Sequence, residues 1–530
     1  MSQISYFDAC VTLGNYYARQ PGQPQTAEEI LAAMDHYGIH EALVVDSLAR
    51  DANPAAGNAR LLERIADHPR LHPAWCGSMS AARELPAPDE LVAQMRAQGV
   101  VALFLFYGHI DMRLDEWAID DLLAALERAR CPVFLCPNCW WPAQRNDATD
   151  WANVVRICRK FPRLPVVVTE HRQFLTQRTV YQALAACPNL RLELSSLWRY
   201  GTVEFICEQF GPERLVWGSQ LPIRDPGAVL GHLRGADIGD EALARVAGDN
   251  LREMCSWNPH FASVADQVTF PEPDDALHAA ARDRLDLSGE RFFDCHGHMG
   301  RSGTFHVVHH SAEQIVREMD RHGVRKCIIF GLEGILGDAT WSNDLVASVV
   351  AKYPDRFLGL TLVSLHHGEE WLRAEFERGR QMGLRGIKLI NSYQGYPTEG
   401  PLIDVCCELC DQYGYFILNH SWGSAEQIER LCTTYPRACY LTGHATLAYG
   451  EVCSRVDNLY ISTCPVHTWG ATERLVANYG ADRIVFASDL CDLPIGWGSY
   501  PIMFARIPEQ DKRKILGGNL ERLLQRYSTD

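Results

Sequence analysis

Two histidines one residue apart end a short apolar run and could bind a metal ion together. The run is Phe292-Phe293-Asp294-Cys295-His296-Gly297-His298. If it is a β-strand, successive side chains alternate between its faces, so Asp294, His296 and His298 point to the same side. Each imidazole offers one lone pair, which zinc accepts at about 2.0–2.1 Å. The pattern alone also fits packed or surface histidines, and Asp294, one layer deeper, fits a structural hydrogen bond as well as catalysis.

Further polar residues stand at the ends of other strand-like runs in the second half of the chain. These apolar runs alternate with amphipathic helical stretches and cover residues 292–296, 327–330, 358–363, 386–390, 415–419, 439–442, 459–463 and 484–487. The alternation predicts an α/β fold with a parallel sheet, and eight strands can close into a (β/α)₈ barrel. A barrel brings all strand ends to one face, which favours it over a doubly wound sheet. The polar residues that would meet there are His296, His298, Lys388, His420, His444 and Asp489.

With these residues in this order, the second half resembles the amidohydrolase superfamily, in particular the amidohydrolase-2 group of metal-dependent TIM-barrel hydrolases and decarboxylases. The matching motifs lie within residues 291–526 and read Asp-Cys-His-Gly-His, Gly-Ile-Lys-Leu, Ile-Leu-Asn-His, Leu-Thr-Gly-His, Phe-Ala-Ser-Asp and Gly-Gly-Asn-Leu. The resemblance implies one divalent ion per chain, most often zinc, with manganese or iron as alternatives. The ligands that it implies are His296, His298, His420 and Asp489.

The resemblance also implies roles beside the ligands. His444 would exchange protons with water or product, and Asp489 could share that work. Lys388 would orient the substrate; its alternatives are an ion pair at the bottom of the barrel and, less favoured in a mononuclear group, a carbamate bridge between two ions. Taken singly, His420 fits a hydrogen-bonded core histidine and Asp489 fits a helix cap, so the conjunction carries the prediction.

Residues just beyond the strand ends could contact a substrate. Arg301 could hold a carboxylate or be a solvated loop residue, and Trp422 could wall a planar substrate or simply pack. Cys464 and His467 follow the seventh strand and could contact the substrate; a Cys–His nucleophilic pair is the less favoured interpretation because a metal is available. The remaining loop histidines lie on the active face and could contact an anionic substrate, but solvated loop residues are the favoured interpretation: His306, His309, His310, His366 and His367.

The chain contains an internal repeat. Residues 26–39 match 311–324, residues 210–219 match 479–488, and residues 248–251 match 517–520, in the same order and offset by about 270–285 positions. Each copy is about the size of one barrel, so two tandem (β/α)₈ barrels are expected. The predicted domains are residues 1–262, a Pro- and acid-rich linker at 263–288, and a catalytic barrel at 289–530.

The first copy has lost most of the implied ligands. Cys10 and Thr12 replace the paired histidines, Gln220 replaces Asp489, and Thr and Gln are poor zinc ligands. The remaining counterparts are Phe104 for Lys388, Pro137 or Asn138 for His420, and His171 for His444. We therefore expect a metal-free barrel that mimics a partner subunit, since fusion makes such a partner local. A rebuilt site from Cys10, Cys136 and His171 is the alternative, and the oligomeric state, homodimer or monomer, stays open.

Composition excludes some classes of function. The chain has 530 residues, 47% hydrophobic, with a formal net charge of −16, which argues against nucleic acid or an anionic membrane as partner. The N-terminus has no basic region followed by an apolar stretch, and the 19 cysteines are scattered through apolar segments. Without a secretion signal they are interpreted as reduced thiols, and a cytoplasmic enzyme is expected.

We expect a metal-dependent hydrolase acting on a C–N or C–O bond of a small carbonyl compound, with an amide, lactone or carboxylate as substrate. A metal-dependent non-oxidative decarboxylase or hydratase of an unsaturated or aromatic carboxylic acid is the alternative within enzymes. An inactive binding or scaffold protein is the alternative from another class. Substrate identity depends on loop shape, which strand-end ligands do not encode.

Overall fold

The computed structural model describes residues 4–137, 149–169 and 177–527. The chain divides into two compact units, residues 1–273 and 274–530. The division falls within the segment 263–288. Each unit is an α/β barrel of the TIM type, as expected from the alternation of apolar runs and amphipathic stretches.

The first unit contains one parallel sheet of eight strands in sequential order. Its two edges meet, because the Ala9 amide donates to the Trp217 carbonyl at 3.0 Å and the Thr12 amide donates to the Leu221 carbonyl at 2.9 Å. The strands are β1 (Phe7–Leu13), β2 (Glu41–Asp46), β3 (Leu71–Cys76), β4 (Ala102–Leu105), β5 (Val133–Leu135), β6 (Val166–Val168), β7 (Leu190–Glu193) and β8 (Leu215–Val216).

The second unit repeats this barrel with one interrupted strand. Leu360 separates β11 from β12, and its amide donates to the Ile329 carbonyl at 2.9 Å, so the pairing passes from β10 to β13 across the break. The barrel closes where the Cys295 amide donates to the Phe486 carbonyl at 2.9 Å and the His298 amide donates to the Leu490 carbonyl. The strands are β9 (Phe292–Met299), β10 (Val324–Gly331), β11 (Phe357–Gly359), β12 (Thr361–Leu362), β13 (Gly386–Leu389), β14 (Phe416–Asn419), β15 (Cys439–Thr442), β16 (Leu459–Ser462) and β17 (Ile484–Val485).

Helices follow the strands and cover the outside of each sheet. In the first unit they are α1 (Ala27–Tyr37), α2 (Ser47–Asp51), α3 (Pro54–Ile65), α4 (Pro88–Ala97), α5 (Glu116–Ala129), α6 (Trp151–Lys160), α7 (Gln177–Ala186), α8 (Thr202–Phe210), α9 (Pro226–Gly235), α10 (Asp240–Ala244) and α11 (Asn250–Cys255). In the second they are α12 (Ala276–Asp283), α13 (Ala312–Arg321), α14 (Ala339–Lys352), α15 (Gly368–Gln381), α16 (Asn391–Gln394), α17 (Leu402–Tyr413), α18 (Ala425–Thr434), α19 (Gly450–Arg455), α20 (Ala471–Tyr479), α21 (Ile495–Phe504), α22 (Glu509–Arg513) and α23 (Asn519–Tyr527). No helix in the described part of the chain is long and apolar enough to cross a membrane.

The repeat extends to local hydrogen bonding. Helices α1 and α13 both begin with the predicted capping box, Thr26 with Glu29 and Ser311 with Gln314. After the last strand of each barrel, an asparagine amide donates to two backbone carbonyls: Asn250 in the first unit and Asn519 in the second, at 2.7–2.8 Å. These bonds tie the closing helix of each barrel to the start of its last strand, β8 or β17.

Candidate metal centre

Three of the predicted ligands meet at the carboxyl ends of β9 and β17. The ligand atoms of His296, His298 and Asp489 all lie within 4.8 Å of one another, and all three residues are buried. Asp489 Oδ1 is 2.7 Å from Nε2 of His298 and 3.3 Å from Nε2 of His296. Closing the barrel brings the first and last strands together, which is why ligands almost 200 residues apart converge.

Hydrogen bonds fix which ring nitrogen of His296 can bind an ion. Its Nδ1 lies 2.9 Å from the Gly443 carbonyl, which can only accept, so Nδ1 carries the proton and Nε2 the lone pair. That lone pair faces the Asp489 carboxylate, and a cation between them would relieve the repulsion. Burial lowers the pKa of His296 well below its usual value. Burial raises the pKa of Asp489, but the hydrogen bond from His298 is among the interactions that outweigh burial and hold this pKa well below its usual range. Neutral imidazole and ionised carboxylate are the forms that bind divalent metals, so these donors fit such an ion.

A buried carboxylate beneath the ligands orients both segments that carry them. Asp294 accepts hydrogen bonds from the His296 amide at 3.0 Å, from the Ser488 amide at 3.1 Å and from the Ser488 hydroxyl. The Ser488 hydroxyl in turn accepts from the Leu490 amide at 3.0 Å. Asp489 lies between these anchored residues with a positive φ of 64°. Of the two roles expected for Asp294, the structural hydrogen bond is the one that the structure displays.

The fourth predicted ligand, His420, lies outside this three-residue group. Its Nε2 is 2.6 Å from Nε2 of His444, the predicted acid/base. His444 Nδ1 faces the Cys464 carbonyl at 3.2 Å, so in the neutral ring its Nε2 accepts, and His420 donates. Two hydroxyls, of Ser392 and Ser421, lie 3.4 Å from Nδ1 of His420, where either can accept a hydrogen bond from Nδ1–H when the Nε2 lone pair binds an ion.

Lys388 is wholly buried in the barrel, on β13. Its Nζ lies 4.2 Å from the centroid of the Phe330 ring and has no hydrogen-bond partner among the described residues. Burial lowers the pKa of Lys388 to about 7, against the opposing effect of Asp489. The alternative interpretation, an ion pair of Lys388 at the bottom of the barrel, has no matching salt bridge within residues 4–137, 149–169 and 177–527. A buried amine without a hydrogen-bond partner is costly to keep charged in a low-dielectric interior, which is why its pKa falls.

The predicted substrate contacts fall into different environments. Arg301 is exposed, with Nη2 2.9 Å from Nε2 of His310. Trp422 donates from its indole nitrogen to the Leu441 carbonyl at 3.0 Å and packs on Tyr440, whose hydroxyl reaches helix α18, so the ring lies in the layer between strand and helix. Cys464 is buried beside His444, and His467 is half-buried in the same loop.

Sequence reasoning missed Tyr393, which stands at the mouth of the second barrel. Its ring centroid is 4.3 Å from that of His420, yet half of the residue is exposed. It belongs to the short helix α16, which follows the strand that carries Lys388. Only the position of Tyr393 after a strand end, in the sequence Asn-Ser-Tyr-Gln, could have drawn attention to it.

Among its described residues, the first unit keeps the hydrogen bonds around the buried aspartate, and Thr12 and Gln220 stand at two of the ligand positions. Asp8 accepts from the Cys10 amide at 3.0 Å and the Ser219 amide at 2.9 Å, as Asp294 does in the second unit. Gln220, the counterpart of Asp489, also has a positive φ, 59°. The predicted counterparts His171 and Asn138 lie outside the described residues.

The family model of the amidohydrolases matches two stretches, residues 13–254 and 336–526, which together cover most of the chain. The chain therefore belongs to the amidohydrolase family, and the resemblance seen in the sequence is confirmed. Members of this family are metal-dependent, and the chain is an enzyme with hydrolase or lyase chemistry.

Individual proteins show more distant similarity. L-fucono-1,5-lactonase from Burkholderia ambifaria is 25% identical over 258 residues, 43% of this chain and 82% of that protein. 5-Carboxyvanillate decarboxylase from Novosphingobium aromaticivorans, solved with manganese, is 16% identical, with 45% of this chain and 99% of that chain covered and a TM-score of 0.37. 4-Oxalomesaconate hydratase from Rhodopseudomonas palustris is 15% identical, with 44% of this chain and 96% of that chain covered and a TM-score of 0.35.

Proposed function

We propose that the second barrel is a metal-dependent hydrolase that opens the C–O bond of a small cyclic ester. The observation that carries this proposal is the buried group of His296, His298 and Asp489, whose donor atoms lie within 4.8 Å of one another. These residues would hold one divalent ion, with His420 as the fourth ligand once its Nε2 turns from His444. Zinc suits two or three imidazoles and a carboxylate. The lactonase relative supports a lactone as the substrate class.

A bound divalent ion would supply Lewis acidity, which makes water a better nucleophile at neutral pH and polarises a carbonyl. The protein's part is to manage protons and position. His444 is held by the Cys464 carbonyl at Nδ1, so its Nε2 is the atom that takes a proton from the attacking water. The same nitrogen can return the proton to the departing ring oxygen, since one group can act as base and then acid.

Lys388 and Tyr393 would orient the substrate. The Lys388 amine lies within the barrel, where it can donate to an ester oxygen without competing for another hydrogen bond in the described chain. Tyr393 presents a half-exposed ring beside His420 and can cover one face of a small ring. Arg301, Cys464 and His467 would contact the substrate only from the loops around the mouth.

Decarboxylation of a carboxylic acid is the second candidate. The specific observation in its favour is the buried amine of Lys388, because a decarboxylase needs a cation to hold the carboxylate. We further propose that the first barrel holds no ion, because Thr12 and Gln220 stand where the second barrel has His298 and Asp489.

The two candidates differ in their products. The zinc-loaded chain should release one acid equivalent for each lactone consumed, with no carbon dioxide, in a pH-stat assay over five- and six-membered sugar lactones. His444→Gln should lower kcat by roughly 10²–10⁴-fold. The matched control, His68→Gln in the first unit, should keep the rate. Carbon dioxide from aromatic carboxylates, with every lactone untouched, would instead support the decarboxylase.

A further inference from the structure

The mouth of the first barrel contains buried cationic and amide groups that the proposed reaction does not use. Arg50, Arg199 and Arg224 are each at most 3% exposed, and all three follow strands of the first barrel at the end that carries the site in the second. Gln220 is 2% exposed, and neither atom of its side-chain amide has a hydrogen-bond partner among the described residues.

Equivalent hydrogen bonds define where these groups lie. The Thr12 amide donates to the Leu221 carbonyl as the His298 amide donates to the Leu490 carbonyl. Thr12 pairs with the residue before the end of β2, and His298 pairs likewise with the residue before the end of β10. Thr12 therefore holds the place of His298, and Gln220 holds the place of the Asp489 carboxylate, which lies 2.7 Å from the His298 ring.

The Arg50 guanidinium brings a positive charge next to Thr12, close to where the ligands of the second barrel would hold a metal ion. Arg50 Nη1 donates to Thr12 Oγ1 at 3.2 Å, and its Cζ stands 5.2 Å from the centroid of the Phe106 ring. The register of the strand pairs places Ile335 at the matching position of the second barrel, so this arginine has no counterpart there. Phe104, which replaces Lys388, stacks on Phe134 at 4.4 Å and makes the floor apolar.

A second guanidinium comes from the neighbouring loop. The Arg224 amide donates to the Gln220 carbonyl at 3.1 Å, and its Nη1 donates to the Ser195 carbonyl at 2.6 Å. Two acidic residues lie close in sequence to these arginines. Asp225 accepts a hydrogen bond from the Gly227 amide at 2.8 Å. Asp51 Oδ1 lies 3.4 Å from Nδ1 of His109 and 3.7 Å from Nε of Arg50.

We propose that this mouth is a binding site for a small organic carboxylate, in which the Arg50 guanidinium stands in for a metal ion and the Gln220 amide donates the second hydrogen bond. A planar carboxylate matches the planar fork of a guanidinium better than a tetrahedral anion does. The apolar floor strengthens the attraction because it lowers the local dielectric. The site does not depend on the reaction of the second barrel.

Isothermal titration of the full-length chain with D-gluconate tests the proposal, with inorganic phosphate as the second probe. Gluconate should bind, and Gln220→Leu should weaken it roughly tenfold or more, because a hydrogen bond to a charged group is lost. Arg50→Met should weaken it at least as much. Arg113→Met, an exposed arginine of the same barrel, is the matched control and should bind as the parent does.

Gln220→Leu keeps the test valid if Arg50→Met fails to fold, because it removes an unpartnered buried amide and should leave the melting temperature equal or higher. Gluconate binding that survives Gln220→Leu would place the anion elsewhere, including in the second barrel, and overturn the proposal. Tighter binding of phosphate than of gluconate, or no binding of either at millimolar concentration, would also overturn it.

Discussion

Ser488 and Ser219 occupy equivalent positions in the two barrels. Comparing them separates the effect of a serine on the stability of its unit from its effect on metal binding. Each hydroxyl donates to a buried aspartate, Asp294 or Asp8, and accepts from a leucine amide at 3.0 or 2.9 Å. Burial raises the pKa of both aspartates to about 6, so the two environments match. Only Ser488 adjoins a predicted metal ligand.

Replacing either serine by alanine removes one hydrogen bond to a buried carboxyl and leaves one buried amide without its acceptor. A hydrogen bond to a charged group contributes about 1.5–3 kcal/mol, and an unsatisfied buried amide costs about 1–3 kcal/mol. We therefore expect Ser488→Ala and Ser219→Ala each to destabilise their own unit by about 3–5 kcal/mol. Ser488→Ala should in addition weaken metal binding about 10–100-fold, the usual effect of losing a group that orients a ligand.

Thermal unfolding of both variants measures the first effect, and competition with a chromophoric chelator measures the metal Kd. Equal weakening of metal binding by Ser219→Ala and Ser488→Ala would contradict the separate roles of the two serines. A Ser488→Ala variant that loses stability but keeps the parental metal Kd would contradict them as well.

Two further predictions concern buried charges. Lys388→Met should raise the free energy of unfolding by about 1–3 kcal/mol, because it removes an unpartnered buried amine, while it lowers activity; a lower melting temperature would contradict this. Burial raises the pKa of Glu41, but hydrogen bonds from His72 and Ser263 outweigh it and lower this pKa to about 2. The ionised Glu41 carboxylate should therefore stabilise the folded state by at most about 3 kcal/mol. This stabilisation should be complete above pH 4.5 and should be lost as the pH falls toward 2. In thermal unfolding scans, Glu41→Gln should abolish that part of the loss of stability in acid.

The fold was predictable because its signals are local and repeated. Capping residues such as Thr26 and Ser311 mark helix starts, and apolar runs mark the buried strands of a parallel sheet. The interruption at Leu360 was not predictable, because nothing in an apolar run shows where pairing passes from one neighbour to the next.

The part of the site that follows from the order of the strands was predictable from the sequence. His296, His298 and Asp489 meet because barrel closure joins the first strand to the last. The contact between His420 and His444 depends on side-chain rotation, and the inward position of Arg50 depends on a helix that begins after β2. Neither is encoded in the strand-end pattern, and the repeat offers no counterpart of Arg50 for comparison.

The metal content of the purified chain is the most direct test of a single divalent-ion site in the second barrel. Inductively coupled plasma mass spectrometry should find one divalent ion per wild-type chain, none after His298→Ala, and one after the matched substitution Thr12→Ala. Two ions per wild-type chain, or a content that His298→Ala leaves unchanged, would contradict a single site in the second barrel.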